Sequence, residues 1–261
     1  MRFQISKEAA RQCPSNAIGT WPAADLKEVT KTYRSGLIEV PALRGISLRI
    51  VPGEFVATAG PSGSGKTTLL NIIGGLDRAD GGEVWVAGQD LQSLSLGELA
   101  RLRLNSIGFV FQTYNLLPVL TAFENAEFTL LLQGVTASKR RERVTRLFSE
   151  IGLEGLENRR PAELSGGQQQ RVAVARAMVT EPALILADEP TANLDSATAI
   201  SLLDVMEHLN RVTGTTFIFS THDPLVMERA HRMIRLQDGQ IASDVARAAT
   251  GLPVKAEGVA V

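Results

Sequence analysis

"GPSGSGKTT", residues 60–68, decides the fold. Its spacing is G-x-x-x-x-G-K-[ST]: Gly60, Gly65, Lys66 and Thr67 hold the fixed positions, Pro61, Ser62, Gly63 and Ser64 lie between, and Thr68 follows. Glycines at these points let backbone N–H groups turn inward around phosphate oxygens, in φ/ψ regions closed to other residues. Lys66 supplies a point charge for β- and γ-phosphates, and the Thr67 hydroxyl suits Mg²⁺. Apolar "EFVATA" runs into the loop and "KTTLLNII" runs out of it, so the loop joins a strand to a helix. The loop alone does not separate ATP from GTP.

Working outward, three more apolar runs end in polar residues. "ALILADEP" (183–190) is a continuous apolar strand of the kind buried on both faces of a parallel sheet, and it closes on Asp188 and Glu189. A carboxylate at the C-terminal end of such a strand lies at the ligand edge. Asp188 there would hold Mg²⁺, directly or through water, and Glu189 would polarise an attacking water as general base. His222 follows the run ending at "STHDP", where a neutral imidazole could hydrogen-bond a γ-phosphate oxygen. Gln112 ends "IGFVFQ" (107–112) and is placed for Mg²⁺ or the water.

A second anion-type feature lies in "AELSGGQQQRVAVARA" (162–177). Ser165, Gly166 and Gly167 open a helix, and a helix N-terminus favours negative charge. One nucleotide needs one phosphate cradle, so this second one calls for an explanation.

Composition bounds the rest. The chain has 261 residues, 44% of them hydrophobic, and a formal net charge of −1. That supports one large domain or a core with a subdomain. Near-neutral charge excludes a broadly basic nucleic-acid face. The basic run "SKRRERVTR" (138–146) has Val144, Leu147, Phe148 and Ile151 at helical spacing, so it reads as a solvated helix face. No apolar run approaches the roughly 18 residues that cross a bilayer. The opening "MRFQISKEAARQCPSNA" has no continuous apolar core, so no signal peptide is expected and the location expected is cytoplasmic. Cys13 is the only cysteine, so no disulfide forms within the chain.

The pattern divides the chain into a lead-in (1–24), an α/β core (about 25–112 and 180–243) with a mainly helical insertion (about 113–179), and a loose tail (244–261). Helices are expected at 65–73, 95–104, over 121–152 as a pair, after "SGG", and at 195–212. Strands are expected within 25–58, in "GGEVWVAGQ", "IGFVFQ", "ALILADEP" and "TTFIFST", and as a pair around "RMIRLQDGQIAS".

Taken in order, these motifs resemble those of the ABC-type ATPase subunits over about residues 25–243. "GPSGSGKTT" is similar to the Walker A loop, "ILADEP" to Walker B, and "FQ" at 111–112 to the Q-loop. "LSGGQQQR" (164–171) resembles the signature, "NLDS" (193–196) the D-loop and "STHD" (220–223) the H-loop. Tyr33, in "VTKTY", sits where the family's adenine-stacking aromatic lies. The resemblance implies an α/β fold with a P-loop NTPase (RecA-like) core, an antiparallel β subdomain and a helical ABC-type subdomain. It implies ATP and Mg²⁺ as ligands, with Tyr33, the residues 60–68, Ser165, Gly166, Gly167, Gln168 and Asp195 at the nucleotide. Thr67, Gln112 and Asp188 would face the metal. Glu189, His222 and Gln112 would carry the chemistry.

It also implies a head-to-tail homodimer in which Ser165, Gly166 and Gly167 of one copy cover ATP held by the other. "LNIIGGLDRADGGEV" and "IGFVFQTYNLLPVLTAFENA" resemble the group of lipoprotein-releasing, macrolide-exporting and cell-division ATPase subunits. Members of that group work with separate membrane-spanning permease subunits. The expected location is then peripheral, on the cytoplasmic face of the membrane. The docking site is expected near Gln112–Glu124, where Phe111, Tyr114, Leu116, Leu117 and Phe123 cluster. The alternative is a cell-division-type ATPase that signals or anchors without moving a substrate. One departure is Ala192, where this group usually has glycine before the D-loop.

Overall fold

The structure is a computed structural model that describes residues 21–36 and 38–247. Cys13, nearly all of the expected lead-in and most of the expected tail lie outside the described residues.

The chain opens with two long antiparallel strands, β1 (Ala24–Ser35) and β2 (Ile38–Ile50). Strand β3 (Phe55–Ala59) leads through the glycine loop into helix α1 (Lys66–Ile73). Strands β4 (Gly81–Val86) and β5 (Gln89–Asp90) return, followed by α2 (Leu96–Ser106) and β6 (Ile107–Phe111). Between β6 and β7 (Leu184–Asp188) the regular elements described are α3 (Ala122–Leu132), α4 (Ala137–Glu150), a 3₁₀ turn and α5 (Gly166–Met178). Helix α6 (Ser196–Thr213), β8 (Thr216–Thr221), α7 (Pro224–Arg229), β9 (Arg232–Gln237) and β10 (Gln240–Ala246) complete the fold.

Among the described residues the strands form two sheets. One is antiparallel, in the order β2-β1-β4-β5; the other runs β10-β9-β3-β8-β7-β6, parallel except for β10. Alternation along the parallel strands explains the layering. Phe55, Ala57, Ile185, Ala187, Phe217 and Phe219 enter one core with α3 to α7. Val56, Leu184, Leu186 and Ile218 point the other way, into a second core shared with α1, α2 and the antiparallel sheet. The parallel strands are therefore apolar on both faces, which is why they read as unbroken hydrophobic runs. The fold is α/β: a mainly parallel sheet with helices α3 to α7 on one face, and α1, α2 and the antiparallel β layer on the other.

Local chemistry starts the helices. Ser95 with Glu98, Thr121 with Glu124 and Ser165 with Gln168 form reciprocal capping boxes at α2, α3 and α5. On α4, Val144, Leu147 and Phe148 are buried, while Arg140 pairs with Glu127 of α3 at 2.7 Å. The basic run is thus one face of a packed helix.

Three boundaries differ from expectation. Ala24, expected in the lead-in, is fully buried in β1, and the preceding Ala23 N–H already donates to the Ile50 carbonyl at 2.8 Å. Asp244 to Ala246, expected in the loose tail, belong to β10. Arg232 holds Asp244 at 2.6 Å and Glu54 at 3.0 Å, fixing this edge strand to the sheet. Helix α7 was not expected at all. Asp223 caps it and Pro224 occupies its first turn, but with six residues it shows no periodicity.

Candidate functional site

Four neighbouring parallel strands, β3, β8, β7 and β6, end side by side. Beyond β3 lies the glycine loop, beyond β8 His222, beyond β7 Glu189 and beyond β6 Gln112. A cavity of about 640 Å³ opens there, and its lining takes in Tyr33, Lys66, Thr68, Gln112, Glu189 and His222.

The loop is shaped by its glycines. Gly60 has φ 156 and Gly65 φ 103, both in the left-handed region. Space excludes a side chain as firmly as backbone strain does: a Cβ on Gly60 would meet the Leu236 carbonyl oxygen at 2.2 Å, and one on Gly65 the Ala42 carbonyl oxygen at 2.5 Å. Lys66 Nζ donates to the carbonyls of Gly60 and Pro61 at 2.9 and 3.0 Å, so the ammonium lies folded over the loop. The Ser64 hydroxyl, at the back of the loop, is buried with no partner.

The Thr67 hydroxyl donates to Asp188 Oδ1 at 3.2 Å, joining the start of α1 to the end of β7. Ser220 stands opposite Asp188 in the β7–β8 register, and its buried hydroxyl has no partner. A hydroxyl and a carboxylate that already touch are hard oxygen donors of the type Mg²⁺ takes alongside phosphate oxygens. Among the described residues no group of three or more His, Cys, Asp or Glu could cage a metal by itself.

Glu189 sits just past the strand with φ 48, and its N–H donates to the Ser220 carbonyl at 2.9 Å. This turn aims its carboxylate back at β8. Oε1 lies 2.6 Å from His222 Nδ1, and Oε2 receives the Thr221 hydroxyl at 3.3 Å. The contact refines the expectation for His222. A neutral ring that donates from Nδ1 to a carboxylate keeps Nε2 as an acceptor, which cannot donate to phosphate. Donation from both nitrogens needs the imidazolium.

The remaining expected residues gather elsewhere. None of Ser165, Gly166, Gly167, Gln168 and Asp195 lines the cavity. Ser165 accepts the Gln168 N–H at 3.3 Å as N-cap of α5, and Asp195 accepts the Thr198 N–H at 3.0 Å as N-cap of α6. A Cβ on Gly167 would meet Thr198 Cγ2 at 2.3 Å, so the two helix starts adjoin. Two hydrogen bonds from Thr198 hold the exposed Asp195 carboxyl below its ordinary range.

The expected docking stretch is divided. Leu116 and Phe123 pack against the core. Leu117 and Val119 are exposed. Phe111, at the start of the stretch, lines an apolar groove of about 670 Å³ together with Leu76, Leu104, Phe109 and Leu132.

Two residues escaped the sequence reading. Arg176 on α5 donates to the carbonyls of Tyr114 and Asn115, which follow Gln112 and both have positive φ. Burial lowers its pKa. Gln170, also on α5 and fully buried, donates to the Pro190 carbonyl at 2.8 Å and the Phe111 carbonyl at 3.3 Å. A polar residue recurring on the apolar face of a helix is the one signal that would have found them.

A glycine cradle between a parallel strand and a helix, with a strand-end aspartate against its threonine, defines the P-loop class of nucleotide-binding proteins. Comparison with known proteins narrows the class. Residues 43–192 match the ABC transporter family. The lipoprotein-releasing system ATP-binding protein LolD of Anaeromyxobacter dehalogenans is 46% identical over 85% of this chain and 94% of its own. The macrolide export ATP-binding/permease protein MacB of Syntrophobacter fumaroxidans is 51% identical over 83% of this chain. The match spans only 31% of that longer relative. A solved dimer of the ATP-binding cassette MJ0796, in a post-hydrolysis state with ADP and Pi, superposes with TM-score 0.80 at 43% identity. It covers 87% of this chain and 99% of the other. The chain belongs to the ABC transporter family and carries its ATP-binding cassette. No helix among the described residues is long and apolar enough to cross a membrane.

Proposed function

We propose that the chain is an ATP-hydrolysing subunit, peripheral on the cytoplasmic face of a membrane, that dimerises on ATP. The work drives a membrane-spanning permease in export, lipoprotein release or mechanical transmission across the envelope. The export and lipoprotein-releasing roles for which the MacB and LolD relatives are named support the coupling to a membrane, and the dimeric cassette supports the pairing. The carrying observation is the convergence of Lys66, Thr67–Asp188 and Glu189–His222 on one cavity, with the Ser165 helix start outside it.

Backbone N–H groups of residues 62–68 surround the phosphates, and Lys66 neutralises the β- and γ-oxygens. Thr67 and Asp188, with Gln112 at the rim, would hold Mg²⁺, which would supply charge neutralisation to the phosphates. Water attacks the γ-phosphorus as the bond to the ADP oxygen breaks, and its proton passes to the Glu189 carboxylate. His222 holds that carboxylate in place through Oε1. Ser165, Gly166 and Gly167 of the second copy close over the γ-phosphate. The permease docks near Gln112–Glu124, where Leu117 and Val119 are exposed and Phe111 lines an apolar groove.

Glu189→Gln tests this reading. The variant should bind ATP normally, hydrolyse it about 10²- to 10⁴-fold more slowly, and accumulate as an ATP-bound dimer in size-exclusion chromatography. Undiminished turnover would overturn the assignment.

A further inference from the structure

The cavity mouth contains an arrangement that the hydrolytic reading does not use. Tyr33 projects from β1, opposite Val40 of β2, and is 41% exposed. Its hydroxyl donates to Asp77 Oδ2 at 2.8 Å. Asp77 follows α1, the helix that begins in the phosphate loop, and its backbone N–H donates to the Asn71 carbonyl at 3.2 Å. The other carboxylate oxygen accepts Lys31 Nζ at 2.8 Å. Lys31 also donates to the Arg78 carbonyl at 2.8 Å and stands 3.7 Å from Asp80. The Lys31 ammonium lies 5.2 Å from the Tyr33 ring centroid, within cation–π range. Thr68, inside the phosphate loop, reaches the Tyr33 hydroxyl as well.

The ring is therefore tied through its hydroxyl to Asp77, just beyond the end of the helix that starts in the phosphate loop. A free tyrosine on an edge strand would sample its rotamers, and ordering it on ligand binding would cost conformational entropy. The tether removes that cost beforehand.

We infer that Asp77, braced by Lys31, is a positioning residue that fixes the Tyr33 ring as a platform for an aromatic base at a set distance from the phosphate loop. This rests on the proposal that the cavity takes a nucleotide. A base stacks on the ring while the phosphates sit over α1, so the helix acts as a ruler between the two ends of the ligand.

Calorimetry of the full chain with Mg·ADP and with Mg·tripolyphosphate, which has no base, separates the possibilities. In Asp77→Asn and in Tyr33→Phe, ADP should bind about two- to tenfold more weakly, in the range of an aromatic stacking contact. Tripolyphosphate affinity should stay within about twofold, and the double variant should be no worse than the weaker single, since both act through one contact. For Asp77→Asn, the KM for ATP should rise while kcat holds. Equal weakening of both ligands would overturn the inference, because Asp77 would then serve only the phosphate loop. Unchanged ADP affinity in both variants would overturn it too. If Asp77→Asn melts early, Tyr33→Phe decides alone, as it keeps the ring and the ion pair. Failure of the wild type to bind ADP would sink the nucleotide reading itself, and this inference with it.

Discussion

At the scale of single residues, the chemistry depends on side chains held by partners distant in sequence. Asp188 and Glu189 were legible because they end an apolar run, and Lys66 because its glycines announce it. The Glu189–His222 contact was not legible, since 33 positions separate the two and only the β7–β8 register brings them together. The same holds for Asp77, just past α1, whose partners Lys31 and Tyr33 lie on β1, more than 40 positions earlier. Burial raises the Asp77 pKa, but hydrogen bonds from Lys31, Tyr33 and the Arg78 N–H outweigh it and hold the carboxyl below its ordinary range. The sign follows from linkage: a depressed carboxyl stabilises the fold above its unfolded value, about 3.9, and loses that contribution as pH falls through the folded value. Urea unfolding of the wild type and Asp77→Asn should thus differ at pH 6, and the gap should narrow as pH falls below about 4. A gap that widens with acid would contradict this account.

At the scale of elements, strand and helix identities were largely readable, and their neighbours were not. Apolar runs identify β3, β7 and β8, but nothing in those runs says that β3 lies between β8 and β9. That order arises from right-handed crossovers and from packing on both faces. Gly108 shows the packing. Its φ needs no glycine, yet a Cβ there would meet Ile185 Cδ1 at 2.3 Å and the Ala177 carbonyl oxygen at 2.6 Å. Strand β6 lies against α5 at glycine distance, and α5 also sends Gln170 and Arg176 to the segment around Gln112. Gly108→Ala should destabilise by about 1–3 kcal/mol through overpacking, read as a lower urea midpoint at unchanged slope. A neutral result would mean that β6 and α5 separate easily.

At the scale of the whole molecule, the sequence offered two anion-type helix starts, and the structure puts only one at the cavity. The Ser165 helix start adjoins that of α6 instead. On the shared-site reading, a Ser165→Ala chain mixed with a Lys66→Ala chain forms dimers with one intact site and one doubly damaged site. ATPase activity of the mixture should exceed that of either variant alone, measured at equal total protein. If it only averages the two, each chain works by itself. The separation of the two starts was expected from the resemblance; what the sequence could not supply was the neighbour of the second one, the start of α6 at Thr198.

On the shared-site reading, a chain that holds only half of each site obeys mass action. Its turnover per molecule depends on how often it meets another copy, so dilution alone would silence it. Two cassettes mounted on one permease no longer need to meet by diffusion, since a short tether gives an effective concentration in the millimolar range. On that reading, the placement of Ser165, Gly166 and Gly167 outside their own chain's cavity turns membrane assembly into the on-switch and guards ATP against idle copies.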